Sequence, residues 1–491
     1  MNSDILKTKK EAYDKELQSW IDKEKASARL INAVNKLIYD KSVELIFFRN
    51  TLIDISTSEV QKLHKYAKDI IEKNIDIYNT ANIAEEILKI EDLYPSKIDI
   101  GRLSFEWANE TNNKSDLGVF LKEKLKHCIG NNLSQIEPRD VVLYGFGRIG
   151  RLLARELIRI SGKGQLLKLK AIVTRPGSGN DINKRASLMK MDSVHGEFKG
   201  SISVDAENQS LIINGQTIKM IEASKPDTID YESYGISNAV LIDNTGVYRD
   251  RDSLSLHLKS KGIAKVMLTA PGKGDLPNIV YGVNHEQQDL VNENIFSAAS
   301  CTTNAIVPVL KVVEDSFGIE KGHIETVHAY TNDQNLLDNM HKKSRRGRSA
   351  AINMVITETG AASAVSKVIP QLKNKLTANA VRVPIPNGSL AIMNLTIKKE
   401  TSVDEINSTI KKAALEGPLV SQIKFSIDKE LVSSDIIGNP CPAVFDSMAT
   451  IVSPDQKNIV LYVWYDNEFG YTKQVIRLAK HVSCVRRFVY F

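Results

Sequence analysis

Ser300-Cys301-Thr302-Thr303-Asn304 sets one cysteine among small hydroxylated residues, and His328 follows 27 positions later. Attack on a carbonyl needs a thiolate and a base to take its proton, so a cysteine with a later histidine is the minimum set for covalent catalysis. The stretch gains weight from what precedes it. Val141–Gly150 reads VVLYGFGRIG, an apolar strand running into Gly145-x-Gly147-x-x-Gly150 and then the helical RLLARELIRI. Glycines at that spacing let the backbone approach a pyrophosphate at a helix N-terminus. A dinucleotide-binding turn ahead of a nucleophilic cysteine implies oxidation of a carbonyl through a thioester.

These groups need elements to hold them. The chain has 491 residues, more than one core usually organises, so about three compact units are expected. A polar break at NNLSQIEP, Asn131 to Pro138, divides it. Residues 1–135 read as an all-α extension, with apolar residues at helical spacing among abundant Lys and Glu. The apolar spacing does not sustain a heptad, so a free coiled coil is not expected, and no internal repeat is present. A docking cap or oligomerisation element is the plain reading of the extension, and a regulatory or scaffolding module the sharper one. Residues 136–300 alternate strand-like runs (VVLYGFG, LKAIVT, SLIIN, AVLIDNT, KVMLTA and the stretch before NHEQQDL) with helical segments, as in a Rossmann domain. Residues 301–466 open on the apolar helix TNAIVPVLKVVEDSFG and continue with HIETVHAY, SLAIMNLTIKK and NIVLYVWYD, fitting an α+β domain with a mostly antiparallel sheet. Residues 467–491 should form a helix returning to the cofactor domain.

Composition narrows the function. No run of about 18 apolar residues could span a bilayer, and the polar start is unlike a secretory signal, so a cytoplasmic protein without a membrane partner is expected. Cys128, Cys301, Cys441 and Cys484 are widely spaced and form neither a disulfide framework nor a zinc signature, so no metal is expected. A net charge of +6 is modest for this length and does not point to nucleic acid.

In order along the chain, GFGRIGR, SAASCTTNAIVPVL, TVHAYTNDQ, RRGRSA, TGAASAV, RVPIPN and WYDNEFGY resemble the phosphorylating glyceraldehyde-3-phosphate dehydrogenase family, over about the last seven tenths of the chain. The resemblance implies that Cys301 is the nucleophile and His328 the base. It implies that Arg382 and Thr331 hold the substrate's phosphate, that Ser300, Thr302, Thr359 and Gly360 receive inorganic phosphate, and that Arg345 lies nearby. For the cofactor it implies Gly145, Gly147, Arg148, Ile149 and Gly150 at the pyrophosphate. Asn244, Thr245, Gly246 and Thr269 would then pass the adenosine and ribose, with Asn467 at the nicotinamide carboxamide and Tyr471 close by. Lys342–Arg348, by itself readable as a solvated loop or a nucleic-acid patch, matches a loop lining a neighbouring subunit's cofactor site, where Arg348 would serve structure.

One departure concerns the nucleotide. Members using NAD usually end the second strand on an acidic residue, where this chain has Thr174 and Arg175. An Arg can pair with a 2′-phosphate that a carboxylate repels, so NADP should be admitted. Met340 also stands where many NAD-specific members have proline, while Asp181 could fold back into the acidic role. Either NAD or NADP is therefore expected. The resemblance implies a homotetramer of glycolysis or gluconeogenesis, converting glyceraldehyde 3-phosphate and phosphate to 1,3-bisphosphoglycerate. An erythrose-4-phosphate dehydrogenase, or a dehydrogenase-fold scaffold acting through its N-terminal helices, are the alternatives.

Overall fold

A computed structural model describes residues 2–110, 116–130, 137–161, 166–177 and 181–490, with the side chains described from residue 9 onward. The polar break expected at Asn131 to Pro138 falls largely outside the described residues. The chain forms two compact units: one holds the residues up to Glu137 together with Arg486–Phe491, the other Pro138–Ile160 and Leu166–Val485.

The first unit is helical as expected, opening on the 40-residue helix Asn2–Lys41, but it is not all-α. It holds a four-stranded sheet in the order Asn50–Thr51, Glu44–Phe47, Ser96–Asp99, Phe488–Tyr490, parallel except at the first pair. Two physical reasons hid it. Glu44–Phe47 is a four-residue run with three buried apolar side chains, which periodicity cannot tell from a buried helical turn. The last strand comes from the opposite end of the chain, beyond any local pattern. Asp99 fastens the sheet's end by accepting backbone N–H groups from Phe48 (2.8 Å), Arg49 (3.1 Å), Gly101 (3.1 Å) and Arg102 (3.2 Å). The C-terminal strand is tied in by Arg487 to Glu44 at 3.1 Å and by the Tyr490 hydroxyl donating to Glu106 at 2.6 Å.

The second unit carries two eight-stranded sheets. In the first, six parallel strands run Ile295–Ser297, Ile263–Leu268, Ala239–Asp243, Arg139–Tyr144, Leu167–Thr174, Gln216–Glu222, extended antiparallel by Ser210–Ile213 and Ile202–Asp205. The chain leaves Arg139–Tyr144 to one side for Leu167–Thr174 and returns on the other through Ala239–Asp243. Such a switch point opens a crevice at the strands' carboxyl ends. The run before NHEQQDL is not a strand: Pro277 and the positive φ of Gly282 (+91°) break it, leaving one bridge from Asn278 to Ser297. Ile295–Ser297 takes the edge instead.

The second sheet is mostly antiparallel, with the path Val355–Thr357, Leu376–Val383, Ile319–Ala329, Ser389–Ile397, Asn458–Tyr465, Ala443–Asp446, Ile423–Ser426. Its apolar face buries the helices Cys301–Phe317, Ala361–Val368 and Val403–Leu415 in one core. The helix Phe469–Val482 returns to the helix Arg148–Arg159, where Lys473 donates to the buried Glu156. Burial alone would raise that carboxyl, but Lys473 and Arg159 bring it down to about 2.

Because Tyr490 binds a carboxylate that also receives Arg102 and Lys124, removing one hydroxyl should loosen the strand without dismantling the sheet. Tyr490→Phe is expected to destabilise the N-terminal unit by about 1 kcal/mol, read from the urea midpoint of that unit's unfolding.

Candidate active site

Cys301 is the first residue of its helix. Ser300 caps the helix, its Oγ accepting the Thr303 N–H at 3.0 Å. His328 lies at the end of the strand Ile319–Ala329, whose parallel register with Leu376–Val383 sets His328 directly beside Arg382. The helix start and the strand end bring Cys301 Sγ to 3.6 Å from His328 Nε2. His328 Nδ1 is 2.7 Å from the Ala329 carbonyl and 2.6 Å from Arg382 Nη1, which also donates to that carbonyl at 2.8 Å. A proton on Nδ1 donated to the Ala329 carbonyl leaves the Nε2 lone pair facing Sγ, the tautomer a base requires, whereas an Arg382 N–H donated to Nδ1 places the proton on Nε2.

Burial pushes the Cys301 thiol up, against the opposing pull of the Arg382 guanidinium and the helix's first N–H groups. Burial, and then Arg382, push His328 down to about 3. Each group alone therefore resists charge. Proton transfer from Sγ to Nε2 creates two charges that stabilise each other at a helix N-terminus.

Tyr465 is a site residue that motif reading missed. Its buried ring meets His328 edge-on at 5.8 Å between centroids, and its hydroxyl lies 3.0 Å from Thr302 Oγ1. Tyr465 lies within WYDNEFGY, but only the sheet shows that it points at the histidine. Thr302 is itself buried and engaged by that hydroxyl.

Anion-holding groups gather around the pair. Arg382 Nε is buried without a hydrogen-bond partner among the described residues, an orphaned donor of the kind an oxyanion satisfies. Arg346 turns inward, its Nη1 2.6 Å from Asp333 and its Nε donating to Thr357 at 3.1 Å, and its charge reaches both His328 and Arg382. Arg345 is exposed and lacks those links. Which of two adjacent arginines faces inward is decided by the single 3-10 turn Ser344–Gly347, so sequence alone named the outer one. The Thr331 hydroxyl donates to Asp333. Thr359 and Gly360 open the helix Ala361–Val368, the Thr359 Oγ1 accepting the Ala361 N–H at 3.3 Å, and a Cβ at Gly360 would meet nothing within 4 Å. Arg348 sits in the exposed loop, bound to Asp338 at 2.9 Å.

The dinucleotide turn has the geometry its glycines require. Gly145 has φ +103°, and a Cβ on Gly150 would lie 2.3 Å from the Gly145 carbonyl oxygen. Gly147 begins the helix Arg148–Arg159 without a side-chain cap and with open space around it, leaving the N–H groups at Arg148 and Ile149 available to a pyrophosphate. The Arg148 side chain itself is committed to Asp192 and Glu468. Asp243 braces the neighbouring strand end: its carboxylate receives the Thr245 N–H and hydroxyl and lies 3.0 Å from the buried His257, while Thr269 donates to Asn244 at 3.2 Å. Gly246 turns with φ +64°. Asn467 is buried, its Oδ1 held by the Ser389 hydroxyl at 2.8 Å, so its amide N–H₂ is oriented. Tyr471 donates to the Ala299 carbonyl at 2.8 Å.

At the second strand's end Thr174 is buried and Arg175 exposed. Asp181 does not fold back to them: its carboxylate caps its own helix through the Asn183 N–H at 2.8 Å. A different carboxylate was overlooked. Glu222 ends the adjacent strand in register with Thr174. Met340 is almost fully exposed. Among the described residues no helix is long and apolar enough to cross a membrane, and no group of His, Cys, Asp and Glu is placed to hold a metal ion.

Two family models match: the NAD binding domain of glyceraldehyde 3-phosphate dehydrogenase over residues 139–251 and its C-terminal domain over residues 300–467. A glyceraldehyde-3-phosphate dehydrogenase-like protein of Pseudomonas aeruginosa (strain UCBPP-PA14) is 48% identical over 459 residues, covering 93% of this chain and 98% of that protein. Glyceraldehyde-3-phosphate dehydrogenase 2 of Nostoc sp. is 40% identical over 70% of this chain and 98% of its own length. The enzyme of Clostridium pasteurianum is 39% identical over 71% and 99%. The chain belongs to the glyceraldehyde-3-phosphate dehydrogenase family, an oxidoreductase family whose first domain binds a nicotinamide dinucleotide. The Pseudomonas match must also reach through most of the residues preceding 139, so the N-terminal unit is shared with that relative.

The two glycines of the turn should respond differently to a methyl group. Gly150→Ala forces a backbone clash and is expected to cost about 1–3 kcal/mol of stability. Gly147→Ala should leave stability within about 0.5 kcal/mol yet weaken dinucleotide binding, measured by thermal unfolding beside a nucleotide titration.

Proposed function

We propose that this chain catalyses the phosphorylating oxidation of D-glyceraldehyde 3-phosphate to 1,3-bisphosphoglycerate. The observation that carries the reading is the 3.6 Å approach of Cys301 Sγ to His328 Nε2 at a helix N-terminus, with Arg382 beside both. His328 takes the thiol proton as sulfur bonds to the aldehyde carbon and returns it to the carbonyl oxygen, giving a hemithioacetal and freeing His328 to act again as base. Nicotinamide, when bound, supplies the hydride acceptor for that carbon. His328 removes the hydroxyl proton as the hydride departs, leaving a thioester. An oxygen of inorganic phosphate then attacks the acyl carbon, the C–S bond breaks, and Cys301 leaves as thiolate. Arg382, with Thr331 and Arg346, would hold the substrate's phosphate. Ser300, Thr302, Thr359 and Gly360 would receive the attacking one.

Either nucleotide fits the second strand's end. Arg175 favours a 2′-phosphate, whereas Glu222 in the adjacent register opposes one and suits ribose hydroxyls. A homotetramer is supported by the family and by the exposed apolar side chains of Leu336, Leu337, Met340, Ile352, Met354 and Ile356, which another subunit would cover.

Steady-state reduction of NAD and NADP with glyceraldehyde 3-phosphate should require inorganic phosphate and fall more than about 10³-fold in Cys301→Ser. Phosphate-independent turnover would turn the reading toward an aldehyde oxidation that releases a free acid. Arg175→Ala is expected to weaken NADP by about tenfold, the size of one charge-assisted hydrogen bond, and NAD much less. Equal losses for both would remove Arg175 from the nucleotide site.

A further inference from the structure

Cys301 is preceded by a buried residue in a conformation that L side chains rarely adopt. Ala299 has φ +56° and no exposure. Among the described residues the other non-glycine positive-φ positions are mostly polar residues of turns; Ala299 is the fully buried one, two residues before the sulfur. A left-handed alanine persists only where its surroundings over-determine it.

Those surroundings are specific. The Ala299 N–H donates to Ser297 Oγ at 3.1 Å, and its carbonyl accepts the Tyr471 hydroxyl at 2.8 Å. Asn304 Nδ2 donates to the carbonyls on either side, Ala298 at 2.8 Å and Ser300 at 2.9 Å. Its Oδ1 in turn accepts Gln474 Nε2 at 3.2 Å. Tyr471 and Gln474 both belong to the helix Phe469–Val482, so one helix fastens the turn twice. Burial raises the Tyr471 hydroxyl far above its ordinary value, so it stays a neutral donor.

We propose that Ala299 is a strained elbow that aims the nucleophile, and that Tyr471 and Asn304 are positioning residues acting through it. Releasing either restraint lets Ala299 relax toward negative φ, which swings Ser300 and Cys301 off the helix start and lengthens the reach to His328. The inference rests on the reading of Cys301 as nucleophile, and it gives Tyr471 a role in the nucleotide-free protein.

The test is therefore made without nucleotide. The rate of Cys301 carbamidomethylation by iodoacetamide, read by peptide mass across pH, is compared for the parent protein, Tyr471→Phe, and Tyr471→Phe with Ala299→Gly; kcat and KM follow in parallel. Phe keeps the ring and loses only the hydroxyl. Glycine adopts positive φ without restraint. Tyr471→Phe should slow alkylation and lower kcat by about tenfold, with KM for the aldehyde within about twofold. The added Ala299→Gly should recover most of both losses. Unchanged alkylation in Tyr471→Phe, or a loss that glycine does not rescue, would overturn the elbow. A parent protein whose Cys301 alkylates normally but turns over no aldehyde would overturn the dehydrogenase reading, and the elbow would still be judged by alkylation alone.

Discussion

In the proposed reaction the Cys301 thiol has to lose its proton in a place where burial disfavours charge, and the residues around it bear on that conflict. Desolvation raises the thiol and lowers the imidazole, so neither charged form is stable alone. What makes the pair workable is proximity: 3.6 Å between Sγ and Nε2, with the first N–H groups of a 17-residue helix on one side and Arg382 on the other. A change of a few tenths of an ångström there alters how well each charge compensates the other, so the backbone that carries the sulfur matters as much as the side chains.

That backbone is held from both ends of the unit. The helix Phe469–Val482 fastens the turn before Cys301, packs on the helix of the dinucleotide turn through Lys473 and Glu156, and follows Asn467, whose amide is oriented by Ser389. Glu468, at that helix's start, receives both Arg148 and His195. Cys301, Asn467 and the glycine turn are therefore linked through one element. The Arg148 guanidinium is part of this brace, and its contribution to a bound dinucleotide is left to its backbone N–H.

The site was legible in the sequence to different depths. Cys301, His328 and the Gly145–Gly150 turn stood out because their chemistry depends on residue type and short spacing. Sequence alone points to Arg345 and not to Arg346, because adjacent residues in a loop differ only in which way a turn directs them. Tyr465, Glu222 and Asp333 were passed over because each reaches the site across a strand register or a salt bridge. Five strands of the Rossmann sheet are readable from apolar runs; Ile202–Asp205, Gln216–Glu222 and Ile295–Ser297 are not, and Pro277 and Gly282 interrupt the run before NHEQQDL that composition alone favours.

The extension shows the same division more sharply. Its helices follow from periodicity, which is local. Its sheet joins Glu44–Phe47 to Ser96–Asp99 and to Phe488–Tyr490, a pairing between the two ends of the chain that no window of sequence contains. By itself the sequence determined the Cys301 and His328 candidates, the glycine turn and the order of the elements, because these depend on residue chemistry and short-range spacing. Only the tertiary structure decided which arginine turns inward, which tyrosine backs the histidine, and that a buried alanine takes positive φ before the sulfur. Those outcomes come from packing between residues far apart in the chain, where burial and hydrogen-bond geometry override local preference.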